Sequence, residues 1–499
     1  MGKGSRSKKK HDMDLREQQK NAAANAAGLR KKRIIAVIVA AVVICGVAAL
    51  FVRAFVRDSR ANSGYYMRNS VVMSNDKVSV DAAMMSYFIY NKVNGTLGNY
   101  YSLYKSYYYT QYGTFAAFIK DMAGIDLSVS LKTQYRSSAT WFDYFKDLAE
   151  KDVKTYVALY GKAVESGMSL SEDDLASIRM RAESVDLSGY GTGLAVGDVE
   201  NALKLQTLAD MYKYGIEQGI GIGDDELNGY LDENYTDYTY VDYLMYPVEY
   251  MTEKSPLTQD KAKALADRLA AAKNRTEFES IIAETVGEDE ADETVKDCVY
   301  TKKAYAESEV MMKLFDKEMN VYDTYTAENT TDAEQGAYYV YMLLKKPYTD
   351  EERTVDLRHI LISSYEEDDA KKAEAERIYK LFTDSDGSEE AFAALARRYS
   401  EDESSLYKGG LYERVQKGGS TASVFDDWCF GTERKPGDCE VVYTSYGYHV
   451  MYFVGYGTDN SHAAAYDDLL NEKLTAEIDA LLESDAVSVN GEAYDTINI

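Results

Sequence analysis

An internal repeat constrains this chain more than any other feature. Residues 241–246 align with 355–360 at an offset of 114, and the same offset places Phe278 on Phe392 and Val310 on Val424. Residues 338–341 then match 448–451 at an offset of 110. A repeated strand–helix–strand unit implies two α+β domains in tandem, which suits a chain of 499 residues better than one large core does. In the second copy, 355–362 and 447–454 are short apolar runs of strand type. Strand side chains alternate, so His359 shares a face with Leu357 and Leu361, and His449 shares one with Met451 and Phe453. The whole chain has four histidines, so two in mid-strand are a pointed placement. A polar imidazole among apolar neighbours needs a hydrogen-bond partner, and each histidine is the obvious candidate for the other.

Between the histidine runs lie an amphipathic helix, a second helix and a glycine-rich turn. The pieces run in order: Arg358, His359, Ile360 and Leu361; residues 392–400 leading into Asp402; Gly409, Gly410 and Leu411; Phe425; Phe430; and Thr444, Ser445, Tyr446, Gly447, Tyr448 and His449. In this order and spacing, residues 353–457 resemble the parvulin family of peptidyl-prolyl cis-trans isomerases. The resemblance implies an isomerase without a cofactor. His359, His449 and Asp402 would form a polar floor, with Thr444 as a hydrogen-bond partner. Leu411, Phe425 and Phe430 match the positions that grip the proline ring, and Tyr446 is expected among the substrate-binding residues. Asp402 falls where some parvulins have cysteine and others aspartate, which removes covalent thiol chemistry from this copy. Two departures stand near the pocket: the usual Gly-Gly-Asp-Leu-Gly is here Gly409, Gly410, Leu411, Tyr412 and Glu413, and Thr421 replaces a methionine. The run Glu366, Glu367, Asp368 and Asp369 lacks the basic cluster of phosphoserine-directed parvulins, so no phosphate requirement is expected. A metal site from His359, His449 and Asp402 has no ligand spacing on one element, and none is expected.

In the first copy, residues 238–346, Met245 stands where His359 stands and Tyr339 where His449 stands; the glycine pair has no counterpart. SurA-like proteins also carry one degenerate and one intact copy, so the resemblance implies a binding or spacer role for this unit.

The rest of the chain sets the context. Residues 34–52 are uncharged and long enough to cross a bilayer, and Arg30, Lys31, Lys32 and Arg33 stand immediately before them. The positive-inside rule then places a basic cytoplasmic tail at 1–33 and everything after the span, from a juxtamembrane linker at 53–70 onward, outside the cell. A cleaved signal peptide is the rival, disfavoured by the long basic region and the lack of a small-residue cleavage site before Arg53. The net charge of −27 is uneven: residues 1–60 carry 14 Lys/Arg against 4 Asp/Glu, which leaves 42 against 79, a net of −37, on the body, and a body that acidic excludes nucleic acid as a partner. Cys45, Cys298, Cys429 and Cys439 make no disulfide framework, and Cys429 and Cys439 are read as separate thiols. Residues 71–237 open as a hairpin turning at Asn75 and Asp76. A helix to about Asn91, a tyrosine-rich stretch and further capped helices follow, an order similar to the chaperone domain of PrsA- and SurA-type foldases. Residues 458–499 are expected as a helix, striped by Tyr466, Leu470, Leu474, Ile478 and Leu482, and a strand that returns to the N-terminal domain.

The expected architecture is therefore α+β and multidomain: a transmembrane helix, a helical chaperone-like block, a degenerate and an intact parvulin-like domain, and a C-terminal helix. The expected partners are unfolded or partly folded polypeptides with X-Pro bonds and, through the one N-terminal helix, the cell membrane; the sequence leaves the oligomeric state open. The alternative function is an anchored holdase whose parvulin folds are both inactive.

Overall fold

The computed structural model describes residues 53, 59–60, 62–112, 114–187, 193–252, 255, 257–303, 309–330, 336–364, 367–419 and 423–497, with the backbone alone at 101–111, 288, 302–303 and 330. The expected membrane span at 34–52, the basic tail and Thr421 lie outside them. Among the described residues no helix is long and apolar enough to cross a membrane.

A short helix, α1 (Tyr65–Arg68), leads into the hairpin of β1 (Val71–Ser74) and β2 (Ser79–Asp81). Asn75 makes the turn: its Oδ1 accepts from the amides of Lys77 and Val78, and its Nδ2 donates to the carbonyl of Val157, 2.9 Å away. α2 (Ala82–Gln111) does not stop near Asn91 but runs on through the tyrosine-rich stretch. α3 (Phe115–Met122), α4 (Trp141–Glu165), α5 (Glu172–Ser184), α6 (Val196–Gly219) and α7 (Asp224–Glu233) complete the block. α4 begins where it does because Thr140 Oγ1 accepts from the Asp143 amide while the Asp143 carboxylate accepts from the Thr140 amide. Phe142, Phe145, Ala149, Val153 and Val157 then fall at helical spacing on its buried face.

Two four-stranded antiparallel sheets follow. The first has β3 (Thr239–Tyr250), α8 (Gln259–Ala270), α9 (Arg275–Val286), α10 (Glu288–Asp297), β4 (Val299–Lys303), α11 (Glu309–Leu314), β5 (Thr324–Thr330) and β6 (Gly336–Thr349). The second has β7 (Arg353–Ser363), α12 (Asp369–Thr383), α13 (Glu389–Tyr399), β8 (Leu411–Val415), α14 (Ser423–Phe430), β9 (Cys439–Thr444) and β10 (Gly447–Asp459). Their strand orders correspond, β4-β3-β6-β5 and β8-β7-β10-β9. So does the register: Met245 pairs with Tyr341 and Pro247 with Tyr339 in one, His359 with Met451 and Leu361 with His449 in the other. Phe278 and Phe392 occupy matching core positions, each fully buried against its sheet.

α15 (Asn460–Ser484) ties the parts together. Its first residues hold the chain at both ends of the first sheet: Ser461 Oγ donates to the carbonyl of Tyr238, just before β3, and Asn460 Nδ2 to Asp350, just after β6. Beyond it, β11 (Ser488–Val489) adds to the hairpin, Val489 opposite Met73. Leu470 and Leu474 of the apolar stripe are buried, the helix lies against α4, α6 and α7 of the N-terminal block, and past it Ala493, Tyr494 and Ile497 join the N-terminal core. Cys298, Cys429 and Cys439 are free thiols.

Candidate active site

The site lies on one face of the second sheet, where the two central strands bring the histidines together. Met451 is the direct partner of His359, so His449 sits one diagonal step away on the same face. The rings stack with centroids 5.4 Å apart and planes 17° from parallel, and both residues are buried, 4% and 5% exposed. Their Nδ1 atoms are 3.1 Å apart. On the far side, His359 Nε2 is 2.8 Å from Asp402 Oδ2, and His449 Nε2 is 2.9 Å from Thr444 Oγ1.

Chemistry fixes the direction of this line at its carboxylate end. A carboxylate only accepts, so His359 carries its proton on Nε2 and donates it to Asp402. Between the two Nδ1 atoms one ring donates and the other accepts, and the His449 tautomer sets whether its Nε2 accepts from Thr444 Oγ1 or donates to it. The Tyr446 amide donates to Thr444 Oγ1 at 3.1 Å and closes the chain. Burial, with neighbouring His359 second, pushes His449 down to about 3, so it stays neutral. For Asp402, burial acts upward, but hydrogen bonds from His359 and then Ser405 outweigh it and hold the carboxyl well below the usual range. The groups are strung in a line, facing one another, not a common centre. Among the described residues no group of three or more His, Cys, Asp or Glu is placed to hold a metal ion.

The loop after α13 supplies the carboxylate. Ser400 Oγ accepts from the amides of Leu361 and Asp402, which fixes the loop to β7. Ser404 Oγ donates to Asp402 Oδ1 at 2.7 Å, and Ser405 Oγ donates to Asp402 Oδ2. A single 3-10 turn, Leu406–Lys408, leads to Gly409 and Gly410. Gly410 has φ +75°, and a Cβ on it would stand 2.2 Å from the His359 carbonyl oxygen; its own carbonyl accepts the His359 amide at 2.8 Å. No other residue fits there without moving the histidine. Arg358 fastens the same turn, donating through Nη1 to the carbonyls of Lys408 and Gly409 and through Nε to Glu389.

Of the residues expected from sequence, the structure brings His359, His449, Asp402, Thr444 and Phe425 into one cluster. Phe425 is buried edge-on to both imidazoles, at 6.1 and 5.8 Å. Phe430 packs at the margin of the Phe425 cluster. Leu411 is a correction. It pairs with Arg358, and direct cross-strand partners share a face, so Leu411 points away from His359. Tyr412 takes the position on the site face: its ring centroid is 4.8 Å from that of His359, and its hydroxyl donates to Asp402 at 3.1 Å. Burial, with the nearby Asp402 charge also raising it, pushes the phenol up to about 12. Tyr446 is also outside the cluster, its side chain in the β9–β10 turn and 60% exposed. Sequence reading missed Tyr412, Ser404 and Ser405. Counting two residues onward from Gly410, the residue opposite His359, would have found Tyr412.

A sheet-borne histidine pair, hydrogen-bonded to a loop carboxylate beneath an aromatic wall and a glycine turn, defines a peptidyl-prolyl cis-trans isomerase domain of the parvulin type. The model of the PPIC-type PPIase domain family matches residues 338–454, from within β6 to within β10. Crystal structures of PrsA peptidylprolyl isomerases are similar to the chain at low identity. That from Bacillus anthracis is 15% identical, covering 56% of this chain and 94% of its own, at a TM-score of 0.19. The Bacillus subtilis protein is 17% identical over 61% and 94%, and the Bacillus cereus protein 17% over 74% and 96%, both at 0.20. No curated protein matches the sequence. The domain assignment rests on the family model and the site geometry.

Proposed function

We propose that this protein is a membrane-anchored extracytoplasmic foldase whose second sheet isomerises X-Pro bonds in secreted or surface proteins. The carrying observation is the buried His359–His449 pair held by Asp402 within the matched domain. Rotation about a peptide bond faces a barrier of about 18–20 kcal/mol, and the reaction makes or breaks no covalent bond. A catalyst needs only to hold the twisted amide better than either planar isomer. Twisting reduces the polarity of the carbonyl, so a water-poor surface such as that of Phe425 favours it. The polar chain beneath keeps its groups satisfied and rigid, so that they need not reorganise during rotation. Cysteine is absent from the loop, so the route is non-covalent.

The first sheet, with Met245 and Tyr339 at the histidine positions, is read as a degenerate parvulin-like domain that binds or spaces. The helical block is read as a chaperone-like surface for unfolded chains. The anchor is read from the uncharged stretch at 34–52. The test is the cis/trans exchange rate of a proline peptide with the purified body of the protein and with its His359→Ala form. Acceleration by the first and its loss in the second is expected. No acceleration, together with suppressed aggregation of an unfolded client, would establish the holdase alternative instead. Protease added to intact cells should cleave the body; cleavage only after lysis would reverse the topology.

A further inference from the structure

The loop that carries Asp402 is held at both ends by the site and in the middle by a different domain. Asp402 and Ser405 reach His359 from one end, and Gly410 accepts its amide at the other. Between them, Glu403 pairs with Arg181 of α5 at 2.6 Å. Lys408 pairs with Glu217 of α6 at 2.9 Å, and this pair is largely shielded, 19% and 12% exposed. The Tyr407 ring meets that of Tyr214 edge-on at 6.0 Å, and the Lys408 ammonium lies 5.2 Å from the Tyr214 ring centroid. Lys408 is thus gripped twice, its ammonium by the helical block and its carbonyl by Arg358, the residue beside His359. A shielded ion pair fixes geometry more firmly than an exposed one, because water competes less for its charges.

We propose that the helical block positions the isomerase site. Glu217 and Arg181 are positioning residues, which set the Asp402–Ser405 end of the loop against His359 through the 403–408 turn. Whatever shifts α5 and α6, a bound unfolded chain included, then changes the rate at the histidines without touching them. The inference rests on the isomerase reading, and the experiment separates the two.

Full-length protein is compared with Glu217→Gln, Arg181→Gln and the charge swap Glu217→Lys with Lys408→Glu; Asp267→Asn, which removes an exposed pair on α8, is the control. Two quantities are read: kcat/KM on a proline peptide, and the NMR resonance of the His359 Nε2 proton, which reports its bond to Asp402. Each single variant should lower kcat/KM about three- to tenfold, through kcat, and shift or broaden the proton signal. The swap should restore both, and the control should change neither. Unaltered kcat/KM and proton signal in both single variants would overturn the proposal, as would a loss of rate with the proton signal unmoved. If the unaltered protein accelerates nothing, the isomerase reading fails by itself, and the proton signal still decides whether the block positions the loop.

Discussion

The two four-stranded sheets share strand order, pairing register and buried phenylalanines, yet among the described residues only the second assembles a polar chain. The difference is made outside the sheet. In the second, the connection from α13 to β8 is a turn with two left-handed glycines, and it delivers Asp402, Ser404 and Ser405 to the sheet face. In the first, the same connection is α10, and it ends at Cys298, whose carbonyl accepts the Met245 amide at 2.9 Å as Gly410 accepts that of His359. Cys298 has φ −89°, an ordinary conformation any residue adopts. A shared scaffold leaves the strand positions in place; the connection decides whether a carboxylate arrives.

Removing the ring that bridges the chain should do the most to erase the contrast. His359→Ala leaves Asp402 and His449 without their shared partner, and kcat/KM should fall about ten- to hundredfold. Asp402→Asn should act in the same direction, since an amide can present its N–H₂ where the imidazole needs an acceptor. Exchange spectroscopy on a proline peptide checks both.

Acid should separate the sheets next. All four histidines lie outside the first sheet, at 11, 359, 449 and 462. His449 is held at about 3 when folded and returns to about 6.5 when unfolded, so the unfolded chain binds the extra proton between these values. Its contribution is therefore present above pH 6.5 and lost as pH falls. Stability of the second sheet should drop by about 1.4 kcal/mol per pH unit from pH 6 to 5, before ordinary carboxylates titrate. Urea midpoints read on Trp428 fluorescence should show this slope, and His449→Gln should flatten it.

Tyr412→Phe removes one donor from Asp402 while keeping the ring over His359. We expect about 1 kcal/mol lost in urea unfolding and a kcat/KM change of a few-fold at most. The smallest effect belongs to the graft Met245→His with Tyr339→His. It should confer no isomerisation on a protein already disabled by His359→Ala, because no carboxylate meets the new ring. Recovered activity would mean that the histidine pair suffices and that the connecting turn is incidental.

Much of this was legible in sequence. The capping box of Ser171 and Asp174, readable as a local pattern, marks the start of α5, and strand alternation places each histidine on a defined face of its strand. Leu411 was misplaced because a strand repeats every two residues, so a slip of one exchanges the faces, and the departure from the family turn hid the register. The length of α2 was missed because tyrosines are poor helix markers while its partners lie far along the chain. The Lys408–Glu217 pair, 191 residues apart, follows from domain docking, which no local pattern encodes.

The pairing of β11 with β1 has a consequence for the order of assembly. A chain made from its N-terminus has both sheets available before Val489, Tyr494 and Ile497 arrive to finish the helical core. The block that grips the loop of Asp402 is thus the last part to close, although its first strand is made early. Until then its hairpin edge and apolar interior stand open, and the newborn protein is itself in need of shelter.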